Sequence, residues 1–413
     1  MAAVSQTMGV SPAPSGTPAP AWLDGRPRVG IHTSIAGDPS NALEIAARIG
    51  CTALQIFSAS PRMWPRPHQR RIPPEVAQRF RERRAALRLG PLAVHANYLI
   101  NLAAPDPRQW QNSVEAFADE IIRAAQLGAE YLIVHPGSPR DSGIDRGIAS
   151  VAEAVACACS SSASDIGPSA VRVLFENTAG QGTGLASEFD HLRRLLDGCR
   201  SRWDRLSACP DEGRACPLPG ICLDTAHLLA AGFEIRTPEG LHRTLAEAGA
   251  AFGLETVCVI HCNDSKSPLG SRRDRHEHIG RGEIGRQAFA RILNHPLLRS
   301  PQRAFLAETP IDRPGDDRRN VRALWSLLGV KPPAAAGKPL APTARSPLSA
   351  TGAVRLSPSP RSSRAAASLL VSPKSSRGER QGAVPPDLSV GIKLRPSRPR
   401  RRTHRISSSR SRR

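Results

Sequence analysis

The sequence lacks the features that define several large classes of protein. None of its apolar runs approaches the roughly 18 to 20 residues that span a bilayer, so we expect no membrane association. The Pro-, Ala- and Ser-rich segment 1–22 lacks the basic and apolar regions of a secretory signal peptide. Nine cysteines without paired spacing predict no disulfide framework, and we expect the reduced thiols of an intracellular protein.

The cysteines also give little indication of a metal site. Cys209 and Cys216 lie in a Pro-, Gly-, Asp- and Arg-rich stretch without matching His or Cys partners, which argues against zinc binding there. Five further cysteines lie in Ala-rich or apolar runs that are typical of core packing. They are Cys157, Cys159, Cys222, Cys258 and Cys262.

Acidic and aromatic residues are scarce in the C-terminal segment. Residues 331–413 contain no Phe, Trp or Tyr and carry 4 Lys and 15 Arg against two acidic residues, a net charge of +17 out of the chain's +21. A segment so rich in Pro, Ser and Arg cannot bury a core, so we predict that it is disordered. Because the preceding residues carry only +4, the total charge says little about the partner of the folded part.

Eight short, nearly continuous apolar runs alternate with longer helical patterns between residues 28 and 328. Such runs are typical of parallel strands that are covered on both faces. The predicted strands are 28–32, 53–57, 92–95, 131–135, 171–176, 220–224, 257–261 and 304–308. Eight βα units over about 300 residues predict an α/β fold, a (β/α)8 TIM barrel. An open doubly wound sheet is the alternative, which the absence of a Gly-rich loop after the first strand disfavours.

The barrel is expected to fill residues 28–330. A disordered leader is predicted at 1–27, and the basic disordered tail at 331–413. The stretch 199–219 is longer than the neighbouring connections, so we predict a surface insertion there.

Seven of the eight predicted strands end in a residue type that binds metals. These residues are His32, His95, His135, Glu176, Asp224, His261 and Glu308. In a barrel the carboxyl ends of all strands meet at one mouth, so these side chains are expected to converge. A single His at a strand end is usually a hydrogen-bonded core residue. Seven such residues together predict bound cations, because burying these carboxylates and imidazoles without a cation would cost more free energy than their hydrogen bonds return.

Two further clusters follow in the loops at the same mouth. The segment DTAH places His227 three residues after Asp224, and DRHEH presents Asp274 and His276. Nitrogen and carboxylate donors without a thiolate suit zinc, with manganese or iron as substitutes, better than magnesium or calcium. So many donors exceed the needs of one ion, so two or three ions are implied. Clustered divalent ions favour phosphoester hydrolysis.

Seven segments, in order, resemble the endonuclease IV family of class II apurinic/apyrimidinic endonucleases. They are VHANYLINLA, YLIVHPGS, FENTAGQG, CLDTAHLLAAGF, VIHCNDSK, GSRRDRHEHIGRGEIG and LAETP. The resemblance covers residues 28 to about 328. It implies a (β/α)8 barrel with three zinc ions, which hydrolyses the phosphodiester 5′ to an abasic site through an activated hydroxide and leaves a 3′-hydroxyl. It also implies removal of blocking groups from 3′ ends.

The resemblance divides nine residues among the three ions. His95, His135 and the bridging Glu176 would bind one zinc. Glu176, Asp224, His261 and Glu308 would bind the second, and His227, Asp274 and His276 the third. Glu176 and Glu308 are the expected catalytic carboxylates, with Glu308 orienting the attacking hydroxide. His32 matches a position that the family does not use as a ligand, so it is expected to support the ligands from behind.

The resemblance also points to residues that contact DNA. Arg62 in the loop after the second strand, with Tyr98 and Leu99 after the third, would hold open the gap left by the missing base. Lys266, Arg272 and Arg273 are candidate phosphate contacts. The implied partner is double-stranded DNA with abasic sites or blocked 3′ ends, acted on by a monomer. The expected compartment is the cytoplasm in a bacterium, or the nucleus or an organelle in a eukaryote.

The sequence departs from the family's pattern at a few positions. Ser60 stands where many members have Asn before the residue aligned with Pro61, which affects only the fine contacts of that loop. Glu277 separates His276 from His278, so His278 could compete as the metal donor. The predicted insertion and the basic tail have no counterpart in the resemblance.

Two rival functions remain open at this stage. A sugar isomerase or epimerase on the same barrel would also place His, Glu and Asp at strand ends around divalent metals. A non-catalytic module that binds DNA damage is the other. The tail, with its RPSRPRRRTHR segment, would be an electrostatic tether to DNA or a nuclear-import signal, or else a solvated extension.

Overall fold

The computed structural model describes residues 22–64, 70–166, 171–207 and 216–334. The predicted tail from residue 335 onward, Cys209, and residues 1–21 of the predicted leader lie outside these ranges. In the described ranges, no helix is both long enough and apolar enough to cross a membrane.

Eight parallel strands close into a barrel, as predicted, so the open-sheet alternative is wrong. They are β1 (Arg28–Thr33), β2 (Leu54–Phe57), β3 (Leu92–His95), β4 (Tyr131–Val134), β5 (Arg172–Glu176), β6 (Gly220–Asp224), β7 (Val257–His261) and β10 (Ala304–Ala307). Each strand pairs with its chain neighbours, and β10 closes the ring against β1, with Arg28 opposite Ala304. Two short strands, β8 (Asp264–Ser265) and β9 (His276–Glu277), form an antiparallel ribbon after β7.

Helices alternate with the barrel strands along the chain. The described residues form α1 (Ser40–Ile49), α2 (Pro74–Leu87), α3 (Pro107–Gln126), α4 (Ile144–Ile166), α5 (Phe189–Ser207), α6 (Thr225–Ala231), α7 (Pro238–Phe252), α8 (Gly285–Asn294) and α9 (Asp316–Leu328). Local sequence explains their starts. At α3, for example, the Asp106 carboxylate accepts from the Gln109 backbone N–H at 2.8 Å, and Pro107 needs no partner for its nitrogen.

Two apolar layers stabilise the barrel. A small inner cluster fills its axis, and a larger one lies between the strands and the helices. The inner cluster includes Ala53, Ala93, Ile133, Leu174, Cys222, Val259 and Leu306. Small residues such as Ala53 and Ala93 fit because eight strands leave room only for a packed interior. The eight cysteines within the described ranges are free thiols.

The predicted surface insertion at 199–219 is wrong over its first part. Helix α5 continues through Ser207, and Cys199 and Trp203 are buried against the core. These two side chains continue the helical spacing of Leu192 and Leu195, which an interpretation by composition overlooks. Cys216, at the far end of the stretch, is also buried, whereas residues 208–215 lie outside the described ranges.

The last residues of the predicted leader contact the barrel. The Trp22 indole N–H donates to Glu130 Oε1 at 3.2 Å, and the guanidinium of Arg28 lies over the indole ring, 5.4 Å from its centroid. Gly90 leaves space for the same ring, because a Cβ there would overlap with it.

We predict that Gly30→Ala strongly destabilises the protein. A Cβ at Gly30 in β1 would overlap with the Ala53 carbonyl, directly before the neighbouring strand β2, and lie 2.9 Å from Leu306 Cδ2. The strand backbone cannot yield easily, so the free energy of unfolding should fall by about 2 kcal/mol or more in urea titrations. Gly249→Ala is the control. Its Cβ would meet only Leu254 Cγ at 3.8 Å, and in helix α7 it should be neutral or stabilising by up to about 1 kcal/mol. Equal losses in both variants would contradict this account.

Candidate metal centre

All nine predicted donor residues lie at the carboxyl-terminal mouth of the barrel. Four of them end a strand, namely His95, Glu176, Asp224 and His261. His135 and Glu308 follow directly after β4 and β10, which end one residue earlier than the sequence predicted. The last three come from α6, the loop before β9, and β9 itself, and are His227, Asp274 and His276. A scattered set of residues thus forms one cluster through the parallel barrel topology.

The first group is built around Glu176. His95 Nε2 and His135 Nε2 each lie 3.1 Å from Glu176 Oε2. The other ring nitrogen of His95, Nδ1, lies 2.9 Å from the Ala96 carbonyl and donates to it. That bond leaves the Nε2 lone pair of His95 facing the carboxylate, which is the tautomer that a metal ligand requires.

The second group shares Glu176. His261 Nδ1 lies 2.9 Å from Glu176 Oε1 and 3.2 Å from Glu308 Oε2, and Asp224 Oδ2 is 3.9 Å from the same nitrogen. One donor atom from each of these four residues lies within 4.8 Å of the other three. Glu176, Asp224 and His261 are completely buried, whereas the Glu308 side chain is 14% exposed and can be reached from the mouth.

The third group lies beside the second. Asp224, His227 and His276 bring donor atoms within 4.8 Å of one another. Asp274 spans the two histidines, with Oδ2 at 3.2 Å from His227 Nε2 and Oδ1 at 3.2 Å from His276 Nε2. The remaining nitrogens are held in place, since Nδ1 of His227 lies 2.9 Å from the Asn177 carbonyl and Nδ1 of His276 lies 3.1 Å from that of Glu308.

The carboxylates of this cluster create a strong demand for positive charge. Burial raises the pKa of Glu176, but the rings of His261 and His135 outweigh it and hold that pKa well below its ordinary value. Burial lowers the pKa of His261, yet Glu308 and Glu176 raise it to about 9. Burial likewise opposes a charged His276, whose pKa Asp224 and Asp274 nevertheless raise to about 9. Unless another cation neutralises the carboxylates, the histidines themselves must take up protons.

Three buried amide side chains support the donors, and the sequence reasoning missed all of them. Gln55 Oε1 in β2 lies 2.8 Å from His261 Nε2, and Gln55 Nε2 donates to Glu308 Oε1 at 2.5 Å. Asn263 Nδ2 donates to Asp224 and to Glu308, and Asn177 Oδ1 accepts from the Asp224 backbone N–H at 2.6 Å. The available signal was polarity, because Gln55 interrupts an otherwise apolar strand.

Two histidines outside the ligand sets face other partners. His32 Nδ1 lies 2.9 Å from Gln55 Nε2 and 3.3 Å from Glu308 Oε1, behind the second group. His278 points away from the donors, with Nδ1 at 3.0 Å from Asn320 Nδ2 and Nε2 at 3.5 Å from Asp312. Of the two histidines in this segment, only His276 lies with the other predicted donors. Cys222 Sγ also lies within 4.8 Å of donor atoms of Glu176 and His261.

The six residues expected to contact DNA are exposed around the mouth. Tyr98 is 57% and Leu99 36% exposed, and the Tyr98 ring lies 5.6 Å from that of His95. The Tyr98 backbone N–H donates to the Pro61 carbonyl at 3.1 Å, which joins its loop to the one carrying Arg62. The other exposed members are Arg62, Lys266, Arg272 and Arg273.

The donor set fits divalent cations. Nitrogen and oxygen atoms of buried and partly buried side chains converge in three overlapping groups, and Glu176 and Asp224 each belong to two of them. His276 Nε2 lies 3.2 Å from Asp274 Oδ1 and 3.7 Å from Asp224 Oδ2, but it forms no hydrogen bond of good geometry among the described residues. A buried imidazole nitrogen that faces carboxylates in this way is well placed to share a cation with them.

We predict that Gln55→Leu weakens divalent-metal binding by about 10- to 100-fold, the range typical of residues that orient ligands. Without the amide, His261 loses the partner that fixes its tautomer and Glu308 loses a donor. Zinc affinity would be measured by competition with a chromogenic chelator. Gln126→Leu is the control, because the Gln126 side chain accepts from the Ile72 backbone N–H, away from the centre. Wild-type affinity in Gln55→Leu would contradict this role.

The chain is similar to proteins of one family over most of its length. The family described as xylose isomerase-like TIM barrel matches residues 43–324. "Probable endonuclease 4" of Solibacter usitatus is 46% identical over 311 residues, which is 74% of this chain and 98% of that protein. "Probable endonuclease 4" of Methanoculleus marisnigri is 38% identical over 302 residues, covering 73% and 99%.

Solved structures agree with this relationship. The crystal structure of endonuclease IV from Thermus thermophilus is 37% identical, with a TM-score of 0.61 over 73% of this chain and 99% of that one. A structure of L-ribulose 3-epimerase, at 14% identity and a TM-score of 0.51 over 74% and 94%, shares the fold alone. The chain belongs to the endonuclease IV family of DNA-repair endonucleases, within the xylose isomerase-like TIM barrels.

Proposed function

We propose that this protein is a zinc-dependent endonuclease of base-excision repair, which hydrolyses the phosphodiester 5′ to an abasic site and leaves a 3′-hydroxyl. The observation that carries the proposal is the set of three overlapping donor groups at one barrel mouth, rimmed by exposed basic and aromatic side chains. A sugar isomerase or epimerase explains the second group but needs neither the third nor the basic rim.

The proposed ligands are those of the three groups. His95, His135 and Glu176 would hold one zinc ion, and Glu176, Asp224, His261 and Glu308 a second. His227, Asp274 and His276 would hold the third, with Asp224 beside them. Bound zinc supplies Lewis acidity, which lowers the pKa of a coordinated water to about 7 and neutralises charge on a phosphate. Manganese or iron would suit the same donors.

Glu308 is the proposed residue for positioning the nucleophile. Its side chain is partly exposed to the mouth, while Gln55 and Asn263 hold its two oxygens from behind. A carboxylate fixed in this way can accept a proton from the attacking water and keep a lone pair of that water directed at phosphorus. Glu176 is fully buried, so its proposed role is to bridge two cations rather than to touch the substrate.

Recognition of the lesion is proposed to depend on the rim. A site without a base has lost its stacking and can be rotated out of the duplex at low cost. Tyr98, Leu99 and Arg62 would occupy the resulting gap. Partial burial and the nearby carboxylates of Glu308 and Glu176 raise the pKa of Tyr98, which therefore keeps its phenolic proton as a donor. Lys266, Arg272 and Arg273 would contact phosphates, which sets register without reading sequence.

Two further properties belong to the same proposal. The centre would also remove phosphate and phosphoester blocks from 3′ ends, because the bond that breaks is again a phosphoester beside the last intact sugar. The protein would act as a monomer inside the cell, since one chain contributes all nine donors.

The proposal predicts that purified protein with zinc incises a duplex containing one tetrahydrofuran site on its 5′ side. Glu308→Gln should lower the single-turnover rate by about 10²- to 10⁴-fold, the range typical of general-base groups, while binding changes little. Glu239→Gln, in the first turn of α7, is a matched carboxylate control that should cut at the wild-type rate.

Three results would contradict the proposal. One is conversion of ketoses by a protein that leaves the tetrahydrofuran duplex intact. Another is incision on the 3′ side of the site, and the third is an unchanged rate in Glu308→Gln. Binding of the duplex without any cutting by the zinc-loaded wild type would instead favour the damage-binding module.

For the basic tail, which lies outside the described residues from residue 335 onward, we propose an electrostatic tether to DNA. Deleting residues 331–413 should weaken duplex binding and reduce its salt dependence, by about 0.9 in the slope of log K against log salt for each phosphate that the tail no longer neutralises. Cleavage at saturating enzyme should persist. A scrambled tail of the same composition should behave as wild type, because the effect depends on charge. Unchanged salt dependence in the deletion would exclude the tether.

A further inference from the structure

Asp264 is a buried carboxylate with no part in the proposed ligand sets. It lies three residues after His261, in the two-residue strand β8, and its side chain is completely buried. A buried carboxylate is unfavourable unless every oxygen is satisfied, so its partners indicate what it stabilises. These partners are backbone N–H groups.

Five backbone N–H groups converge on this one side chain. Oδ1 accepts from Ser265 and Ile284, both at 2.9 Å. Oδ2 accepts from Gly280 at 2.9 Å, Gly282 at 3.0 Å and Gly285 at 3.3 Å. Four of the five donors belong to the segment 280–285, which follows β9. Hydrogen bonds to an ionised acceptor are among the stronger ones in proteins, so Asp264 fixes the path of that segment.

The segment 280–285 is continuous with two proposed ligands of the third group. Asp264 pairs with Glu277 across the β8–β9 ribbon, and Ser265 pairs with His276. The Lys266 backbone N–H donates to the Arg275 carbonyl at 2.8 Å and closes the excursion between the two strands. That excursion, 266–275, carries Asp274. Asp264 therefore lies in one strand of the ribbon, β8, and binds the segment that follows the other strand, β9.

Gly282 provides an independent sign of the same constraint. A Cβ on Gly282 would overlap with the Ser265 carbonyl and lie 2.6 Å from Asp264 Oδ1. The backbone of the segment approaches the carboxylate so closely that no side chain fits between them. The neighbouring Asn263 faces the other way and donates to Asp224 and Glu308. Adjacent residues thus support different groups of donors.

We infer that Asp264 is a positioning residue for the third metal group: its carboxylate fixes the ribbon and loop that present Asp274 and His276, and with them Arg272 and Arg273. This inference rests on the proposed function. The first and second groups draw their donors from strand ends and from His135 and Glu308, which directly follow strands, so none of these donors lies in this loop.

The test measures zinc per chain in Asp264→Asn. Asparagine offers one oxygen in place of two, so at least two of the five backbone N–H groups would face an amide donor. Zinc affinity at the third group should fall by about 10- to 100-fold, and dialysis against a weak chelator should leave two ions per chain where the wild type keeps three. Asp274→Asn should lose the same ion. Added zinc should restore most of the cleavage in Asp264→Asn.

Two controls keep this test decisive. Glu130→Gln alters a carboxylate that accepts from the Leu92 backbone N–H at 2.7 Å at the opposite end of the barrel, and it should keep three ions. Gly282→Ala strains the same contact without altering charge, and it should reproduce the loss of one ion even if Asp264→Asn does not fold.

The outcomes distinguish a failure of the three-zinc proposal from a failure of the inference about Asp264. A wild type with fewer than three tightly bound ions would overturn the three-zinc proposal, and this inference with it. Three ions of wild-type affinity in Asp264→Asn, or in Gly282→Ala, would overturn the inference alone. Loss of all three ions from folded Asp264→Asn would also overturn it, because the predicted effect is confined to the third group.

Discussion

The organisation of the barrel mouth depends on the packing of buried carboxylates against one another. Glu176, Asp224 and Glu308 bring oxygens to within a few ångströms of a shared imidazole, and two of the three side chains are inaccessible to water. Such a cluster is unstable unless positive charge lies among the oxygens. Protonated histidines meet the demand in part, but a His-rich and carboxylate-rich set of donors meets it better by binding divalent cations.

The rest of the barrel stabilises the fold despite these crowded carboxylates. Its inner and outer apolar layers are continuous, and the strands carry polar side chains mainly where they emerge at the mouth. The amide side chains of Gln55 and Asn263 then satisfy the oxygens and nitrogens that cations would leave free. The apolar packing that stabilises the barrel thus lies below the mouth, and the crowded carboxylates lie at the mouth, as in other barrels of this type.

Much of this arrangement could be predicted from the sequence. Continuous apolar runs identified the eight strands, and because parallel strands share a carboxyl end, the residues closing those runs had to meet. The ends of β4 and β10 were misplaced by one residue because His135 and Glu308 follow the apolar run without a break. Gln55 was missed because two of its partners lie more than 200 residues away in the chain, although its polarity in an apolar strand marked it. Asp264 was missed because the sequence does not show that the backbone of residues 280–285 folds around it. The insertion was predicted to begin too early, at residue 199, because composition was given more weight than the helical periodicity that continues to Trp203.

The most direct test of the central claim is a crystal structure of the zinc-loaded protein with anomalous diffraction measured on both sides of the zinc absorption edge. The account predicts three peaks specific to zinc, one in each donor group, with Glu176 between the first two. A single peak, or peaks away from these residues, would contradict it.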